Sequence, residues 1–240
     1  MSAPARLRGS QTVPPAPRLG HVLRTALEDL YYNGVRLVAA NLVWGLGAVI
    51  TAFALARSAF GLPALLIMIP VTAGLMGMAT ALVRERSIVK SDFIRPLRGR
   101  FWRILALGAA QLALTIIAGF DLVLGLQLGG LVGIAMAVVA FYTGVALWVL
   151  AWAIWPIVTD PERRDESVRS CVRLGALLVL AHPIRLGLLA IVLAAITVAS
   201  TILAAAIITF AAAYLALVAA HFVLPSADRL EGRETMLVEI

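Results

Sequence analysis

RERSIVKSDFIRPLRGRFWR, residues 84–103, is the stretch on which the fold turns. It sets Arg84, Arg86, Lys90, Arg95, Arg98, Arg100 and Arg103 between two long uncharged apolar runs. In a soluble chain such a cluster would read as a nucleic-acid patch. Between apolar segments of bilayer length it reads as a cytoplasmic loop that pins the orientation of an integral membrane protein, because basic loops stay on the inner side. No nucleic-acid partner is expected.

The composition agrees. The chain is 62% hydrophobic and 14% charged, against about 45–50% and about 25% in a soluble domain. One soluble core cannot absorb that apolar excess, and a bilayer can. The formal net charge is +7, and nearly all of the cations are arginine. Cys171 is the single cysteine, which rules out an internal disulfide and a multi-cysteine metal site.

A spanning helix needs roughly 20 apolar residues. Runs at about 35–55, 62–83, 104–120 and 129–157 meet that length. The apolar stretch 184–224 is about twice one span. It divides at Ser200–Leu203 into spans at 184–202 and 203–224. With six spans, nineteen of the 20 Lys and Arg residues fall on one side and only Arg57 on the other. That bias predicts a multi-pass protein of the inner or plasma membrane with both termini cytoplasmic. A five-span alternative would carry Arg229 and Arg233 to the opposite side.

The flanks read differently. Residues 1–18 hold Pro4, Pro14, Pro15 and Pro17 with Arg6, Arg8 and Arg18, the pattern of a disordered basic tail. They contain no apolar core of a secretory signal. The membrane domain is expected over 19–225, with a cytoplasmic tail over 226–240. Leu19 to Gly34 is amphipathic, with Leu19, Val22, Leu23, Ala26, Leu27 and Leu30 on one face and Arg24, Glu28 and Asp29 opposite. It predicts a helix lying at the inner interface. Asp160 followed by Pro161 predicts an N-cap and first helical residue. The helix to follow, 161–181, would carry Asp165, Arg169 and Arg173 on one face and Val168, Val172, Gly175 and Val179 on another. Its apolar part is too short to span, and His182-Pro183 ends it. The expected fold is an all-α integral membrane helical bundle of about six spans, with interfacial helices on the cytoplasmic side.

Polar residues within the spans are the functional candidates. Asn41 and Trp44 sit in the first span, and Pro70 interrupts the second beside Thr72, Gly74 and Gly77. The plain reading is interhelical hydrogen bonding and a packing kink; the functional one is a polar transport site. Gly129-x-x-x-Gly133 reads as a small-residue packing seam. Trp148, Trp152 and Trp155, with Trp102, read as an interfacial aromatic belt. Asp121, His182 and His221 are the isolated ionisable groups, with Asp121 on the opposite side from both histidines. Gln111 and Gln127 add polarity without a pattern. No phosphate loop, dinucleotide fingerprint, HExxH or nucleophile elbow occurs. The expectation is therefore a non-enzyme with no catalytic residue, cofactor or metal. Arg95, Arg98, Arg100 and Arg103 are the expected contacts for anionic lipid or an acidic partner.

Taken in order, NLVW (Asn41–Trp44), IPVTAGLMGMATALVRE (Ile69–Glu85), SDFIRPLRGRFWRI (Ser91–Ile104) and HPIR (His182–Arg185) resemble the YesL-like family of bacterial membrane proteins. The resemblance covers about Leu30 to Leu224, and the tail before Leu19 departs from it. It implies a multi-span protein considered alongside carbohydrate-uptake systems, with no catalytic residues to carry over. The expected function is an accessory or assembly component linked to solute uptake, with transporter permease subunits as partners. The alternative is a small-solute transporter with a polar site near Asn41 and the Pro70 kink.

Overall fold

The computed structural model describes residues 17–57, 62–203 and 210–233. Every regular element among them is helical. The order is α1 (Leu19–Tyr32), α2 (Gly34–Arg57), α3 (Leu62–Glu85), α4 (Phe101–Leu128), α5 (Gly130–Thr159), α6 (Val168–Ala181), α7 (Pro183–Ile202) and α8 (Ala212–Glu231). Short 3-10 turns at Lys90–Phe93, Arg95–Leu97 and Pro161–Arg163 fill the connections. The all-α expectation holds.

Five helices, α2, α3, α4, α5 and α7, are long and apolar enough to cross a membrane. Large apolar side chains such as Phe53, Ile117, Phe120, Val139 and Ile191 are exposed on their outer faces. Water would not tolerate so continuous an apolar exterior, and lipid tails do. With 28 and 30 residues, α4 and α5 run about 42 and 45 Å. That exceeds the roughly 30 Å of a bilayer's hydrocarbon, a surplus that helix tilt or a projecting end takes up. The third span is accordingly longer than the expected 104–120 and takes in Asp121 and Gln127.

The α4–α5 hairpin turns on Gly129 and Gly130, both at φ 61°. Its seam lies one turn from the expected pair. A Cβ on Gly125 would sit 2.7 Å from the Gly133 carbonyl oxygen and 2.7 Å from the Ala137 nitrogen, so Gly125 faces Gly133. Gly129 serves the turn.

The sixth expected span, 203–224, is not confirmed. Residues 204–209 lie outside the described ones, and the helix in this region is Ala212–Glu231. It is the most enclosed helix of the described structure: nearly every residue from Ala212 to Asp228 is buried, including Ser226. The expected tail from 226 is thus buried as far as Asp228 and helical as far as Glu231, while 1–16 and 234–240 lie outside the described residues.

Register shows how α8 lies. Trp44 Nε1 donates to Thr72 Oγ1 at 3.0 Å and Thr51 Oγ1 to the Ala64 carbonyl at 3.5 Å, which aligns α2 and α3 as an antiparallel hairpin. That alignment puts Asn41 about nine residues, or about 13 Å, along α3 from Arg84. Asn41 Oδ1 accepts from the Ala213 N–H at 2.6 Å, and Arg84 donates to Asp228 at 2.6 Å. Between those anchors α8 uses about 22 Å of helix. The two anchors tie both ends of α8 to the α2–α3 hairpin.

α1 runs alongside α8 in the same direction, with Tyr214 Oη donating to the Leu23 carbonyl (3.2 Å) and His221 Nε2 2.7 Å from Asp29 Oδ2. Val22 and Ala26 are buried against it. Asp29 belongs to this packed face, not to the water face expected from its charge. α6 is also packed and not merely interfacial: Cys171, Leu174, Gly175 and Leu178 are buried, one step round from the expected stripe. A Cβ on Gly175 would come 2.7 Å from Ile154 Cγ1 of α5. The helix starts at Val168, capped by Ser167 Oγ, which accepts from the Ser170 N–H; Asp160 caps only the 3-10 turn.

The hairpin seam gives a direct test. Gly125→Leu forces a side chain into the α5 backbone and should destabilise by about 1–3 kcal/mol. That would appear as a lower thermal midpoint in detergent. Gly119→Leu, with no atom within 4 Å of its Cβ, should leave the midpoint unchanged.

Candidate functional site

Where α3, α5 and α8 end, side chains from three elements close into one buried charge lattice. Arg84 is the penultimate residue of α3. It donates through Nη2 and Nε to Asp160 (2.7 and 3.2 Å), and through Nη1 and Nη2 to Asp228 (2.6 and 3.1 Å). Arg163 donates through Nη2 to Asp228 Oδ1 (2.6 Å) and through Nη1 to Glu231 Oε2 (2.6 Å). Its Nε lies 3.3 Å from Asp160 Oδ2, at ion-pair distance without hydrogen-bond alignment. Arg163 is fully buried. Arg233 then ties Glu231 to Glu166, at 2.9 and 2.6 Å.

Local structure aims these groups. Asp160 ends α5 and accepts the Glu162 N–H at 3.1 Å, fixing the turn that carries Arg163. α8 finishes in a Schellman motif: Gly232 takes φ 69°, its N–H donates to Arg229 O, and Arg233 N–H donates to Asp228 O at 2.9 Å. The left-handed residue suits glycine. The motif places Asp228 one turn before the cap, and sends Arg233 back towards the lattice. Thr80 Oγ1 bonds the Thr159 carbonyl at 3.1 Å, so α3 and α5 are joined just inside it.

The electrostatics are coherent. Burial alone would raise the Asp228 carboxyl, but hydrogen bonds and charge from Arg84 and Arg163 outweigh it and hold the group below its ordinary value. Burial would lower Arg163, yet Glu231 and Asp228 raise it above the usual arginine value. Asp228 and Arg163 are therefore charged at neutral pH.

The basic loop lies close by. Arg36 Nη1 donates to the Ile88 carbonyl. Asp92 is buried and accepts the Val89 N–H at 2.8 Å. The loop docks on the small residues of α3: a Cβ on Gly74 would meet Phe93 O at 2.7 Å, and one on Gly77 would strike Pro96. Gly74 and Gly77 are therefore docking positions. Of the expected lipid contacts, Arg98 and Arg103 are exposed, while Arg95 pairs with Glu85 at 2.6 Å. Arg100 is buried, donating to the Glu166 and Val158 carbonyls at 2.6 and 3.4 Å, so it is structural.

Asn41, Trp44 and Pro70 do not converge on one polar site. Asn41 holds the start of α8, Trp44 bonds Thr72, and Pro70 lies within an unbroken α3. Within the tryptophan stripe, Trp148 is exposed and its Nε1 donates to Ala190 O (3.2 Å), while buried Trp155 donates through Nε1 to Gln111 Oε1 (2.8 Å). Trp102, largely exposed, fits the expected belt. Asp121, His182 and His221 stay apart: His221 meets Asp29, His182 caps the α6–α7 junction, and Asp121 lines an apolar groove with Ile117 and Val132. Burial, then Arg185, pushes His182 below its ordinary value, so it is neutral at pH 7. No cluster of three metal-ligating side chains occurs among the described residues. Recesses of about 460 and 450 Å³ are lined mainly by apolar residues of α4 and α5.

The lattice escaped the sequence reading because its members lie far apart, Arg84 from Asp228 by 144 positions. One signal was present. Asp160 and Asp228 each sit at the end of an apolar helix, where a carboxylate needs a partner.

This architecture defines an integral membrane protein of the all-α class, a bundle locked at one end by buried ion pairs. Comparison with known families, with curated proteins and with solved structures finds no match.

Removing one member of the lattice should be costly. Asp228→Asn leaves two buried guanidinium groups short of charge and should cost about 3–5 kcal/mol, read as a large drop in thermal midpoint in detergent. The pH dependence has a defined sign. Because the folded Asp228 value lies below its ordinary 3.8, its contribution is complete above that pH and lost as the pH falls through the folded value. The wild-type midpoint should fall in that acid range, and the Asp228→Asn midpoint should fall less.

Proposed function

We propose that this protein is a non-enzymatic component of the inner or plasma membrane, with the lattice end cytoplasmic. Its role is accessory or assembly partner to a solute-uptake system, with carbohydrate as the solute class that the YesL-like resemblance suggests. One observation carries the reading. At the lattice end most carboxylates are engaged internally and cations face outward: Asp92, Asp160 and Asp228 are buried, Glu166 and Glu231 are engaged by Arg163 and Arg233, while Glu162 and Asp165 are exposed. Arg98, Arg103, Arg164, Arg169 and Arg173 are exposed and make no ion pair among the described residues. A rigid platform with an arginine rim suits docking to anionic lipid or to an acidic face of a membrane partner. The orientation follows the same charges, since arginine-rich ends remain inside.

Two measurements test this. Cys171 is buried, and burial, then Glu166, raises its thiol above the ordinary value, so it is a poor nucleophile. In a Cys171→Ala background, Arg98→Cys should resist an impermeant thiol reagent in intact cells and react after lysis. Labelling in intact cells would reverse the orientation. For the role, a tag following Ile240 should recover permease subunits from native membranes in stoichiometric amount. Recovery of this chain alone across several mild detergents would shift the reading to a self-sufficient transporter.

A further inference from the structure

We infer that the groove between the start of α2 and the basic loop is a binding site for one anionic phospholipid. The phosphate would lie at Arg36 and Lys90, and an acyl chain along Ala39, Val43, Phe93 and Ile94. This rests on the proposal that the arginine-rich end meets the membrane interface, and it assigns that interface a defined site.

The groove has a volume of about 480 Å³ and is apolar apart from Arg36 and Lys90. Along α2 it extends from Arg36 to Val43, about 10 Å, so it ascends a membrane-crossing helix from its charged end. Val35, Val43 and Ile94 are exposed, which puts the groove on the outer surface of the bundle. Both cations stand at one end of it. Lys90 is exposed and makes no hydrogen bond or ion pair among the described residues. Arg36 commits Nη1 to the Ile88 carbonyl, which ties the loop to α2, and it has no carboxylate partner there.

The charge arrangement selects the occupant. The acids of the neighbouring loop are already engaged, Glu85 with Arg95 and Asp92 with the Val89 N–H. Arg36 and Lys90 are left facing outward, beside apolar walls at the level where headgroups meet hydrocarbon. A helix from another protein would match the walls and leave two cations against an apolar face. A zwitterionic lipid would match the walls and cancel part of the attraction with its own cation. An anionic phospholipid matches both features: the headgroup neutralises the pair while the chain covers the groove. Each cation near such a surface is worth about 1 kcal/mol, a factor of about five.

The test is native mass spectrometry of the full chain in mild detergent, offered equimolar phosphatidylglycerol and phosphatidylcholine. The wild type should retain phosphatidylglycerol in preference. Lys90→Gln should reduce that retention about five-fold, and Ala39→Trp, which fills the groove, should abolish it. Arg98→Gln and Arg103→Gln should leave it intact. Lys90 has no internal bond to lose, so its variant remains informative if Ala39→Trp folds poorly. Unchanged retention in both groove variants, or equal retention of the two lipids by the wild type, overturns the site. Loss only in Arg98→Gln and Arg103→Gln overturns the groove while leaving the broader cationic platform standing. A photoreactive side chain at position 94 provides an independent readout in membranes. An adduct with the mass of a phospholipid supports the assignment, and a cross-link to another polypeptide overturns it.

Discussion

Two arginines, Arg163 fully buried and Arg84 largely so, both unable to give up their protons, are the constraint around which one end of this molecule is organised. A guanidinium group stays charged in any protein environment, so Arg84 and Arg163 require carboxylates wherever they are buried. Asp160 and Asp228 meet that requirement, with Glu231 completing the fork on Arg163. Ion pairs this deep gain little net stability over an apolar packing, but an incomplete set is strongly unfavourable. The lattice therefore acts mainly on specificity. It permits one arrangement of the ends of α3, α5 and α8. With the anchor at Asn41 it ties both ends of α8 to the α2–α3 hairpin.

The same constraint biases the charges of this end of the bundle. Asp160 and Asp228 are drawn inward to the buried arginines, while Arg98, Arg103, Arg164, Arg169 and Arg173 stay outside with Glu162 and Asp165. The loop after α3 is held flush by Gly74 and Gly77, which let Phe93 and Pro96 approach the helix closely. Two of the segments that carry the resemblance, Ile69–Glu85 and Ser91–Ile104, are thus the two sides of one contact. Their small residues and their proline belong to a single fitted surface.

The spans were legible because hydrocarbon imposes a length and forbids charge, and both are visible along a chain. The end that carries the arginines was legible for the same reason. What could not be read was which apolar helix meets lipid and which meets protein. α8 is as apolar as a span over much of its length, yet its surroundings are α1, α3 and α5, and no periodicity distinguishes a lipid tail from a leucine. The stripe Trp148, Trp152, Trp155 has the same spacing whether it faces a headgroup or Ala190 and Gln111. Asp29 was assigned to water because it is charged. The sequence holds no mark of His221 waiting 192 positions away. The lattice stayed hidden for that reason too, and Arg100 looked like one more surface cation until the Val158 and Glu166 carbonyls were seen beside it.

The Schellman cap at Gly232 has a consequence in time as well as in space. Chains are made from the N-terminus, and α3 and the turn carrying Arg163 are synthesised well before Asp228 and Glu231. Until α8 emerges, Arg84 has only Asp160 and Glu162 within reach, and Arg163 lacks its two shortest contacts. Helices α2 to α7 can form during that interval, but this end of the bundle cannot close. Among the described helices it is α8, the last in order, whose final turn brings in the missing carboxylates and joins α3, α5 and α8 into one locked end.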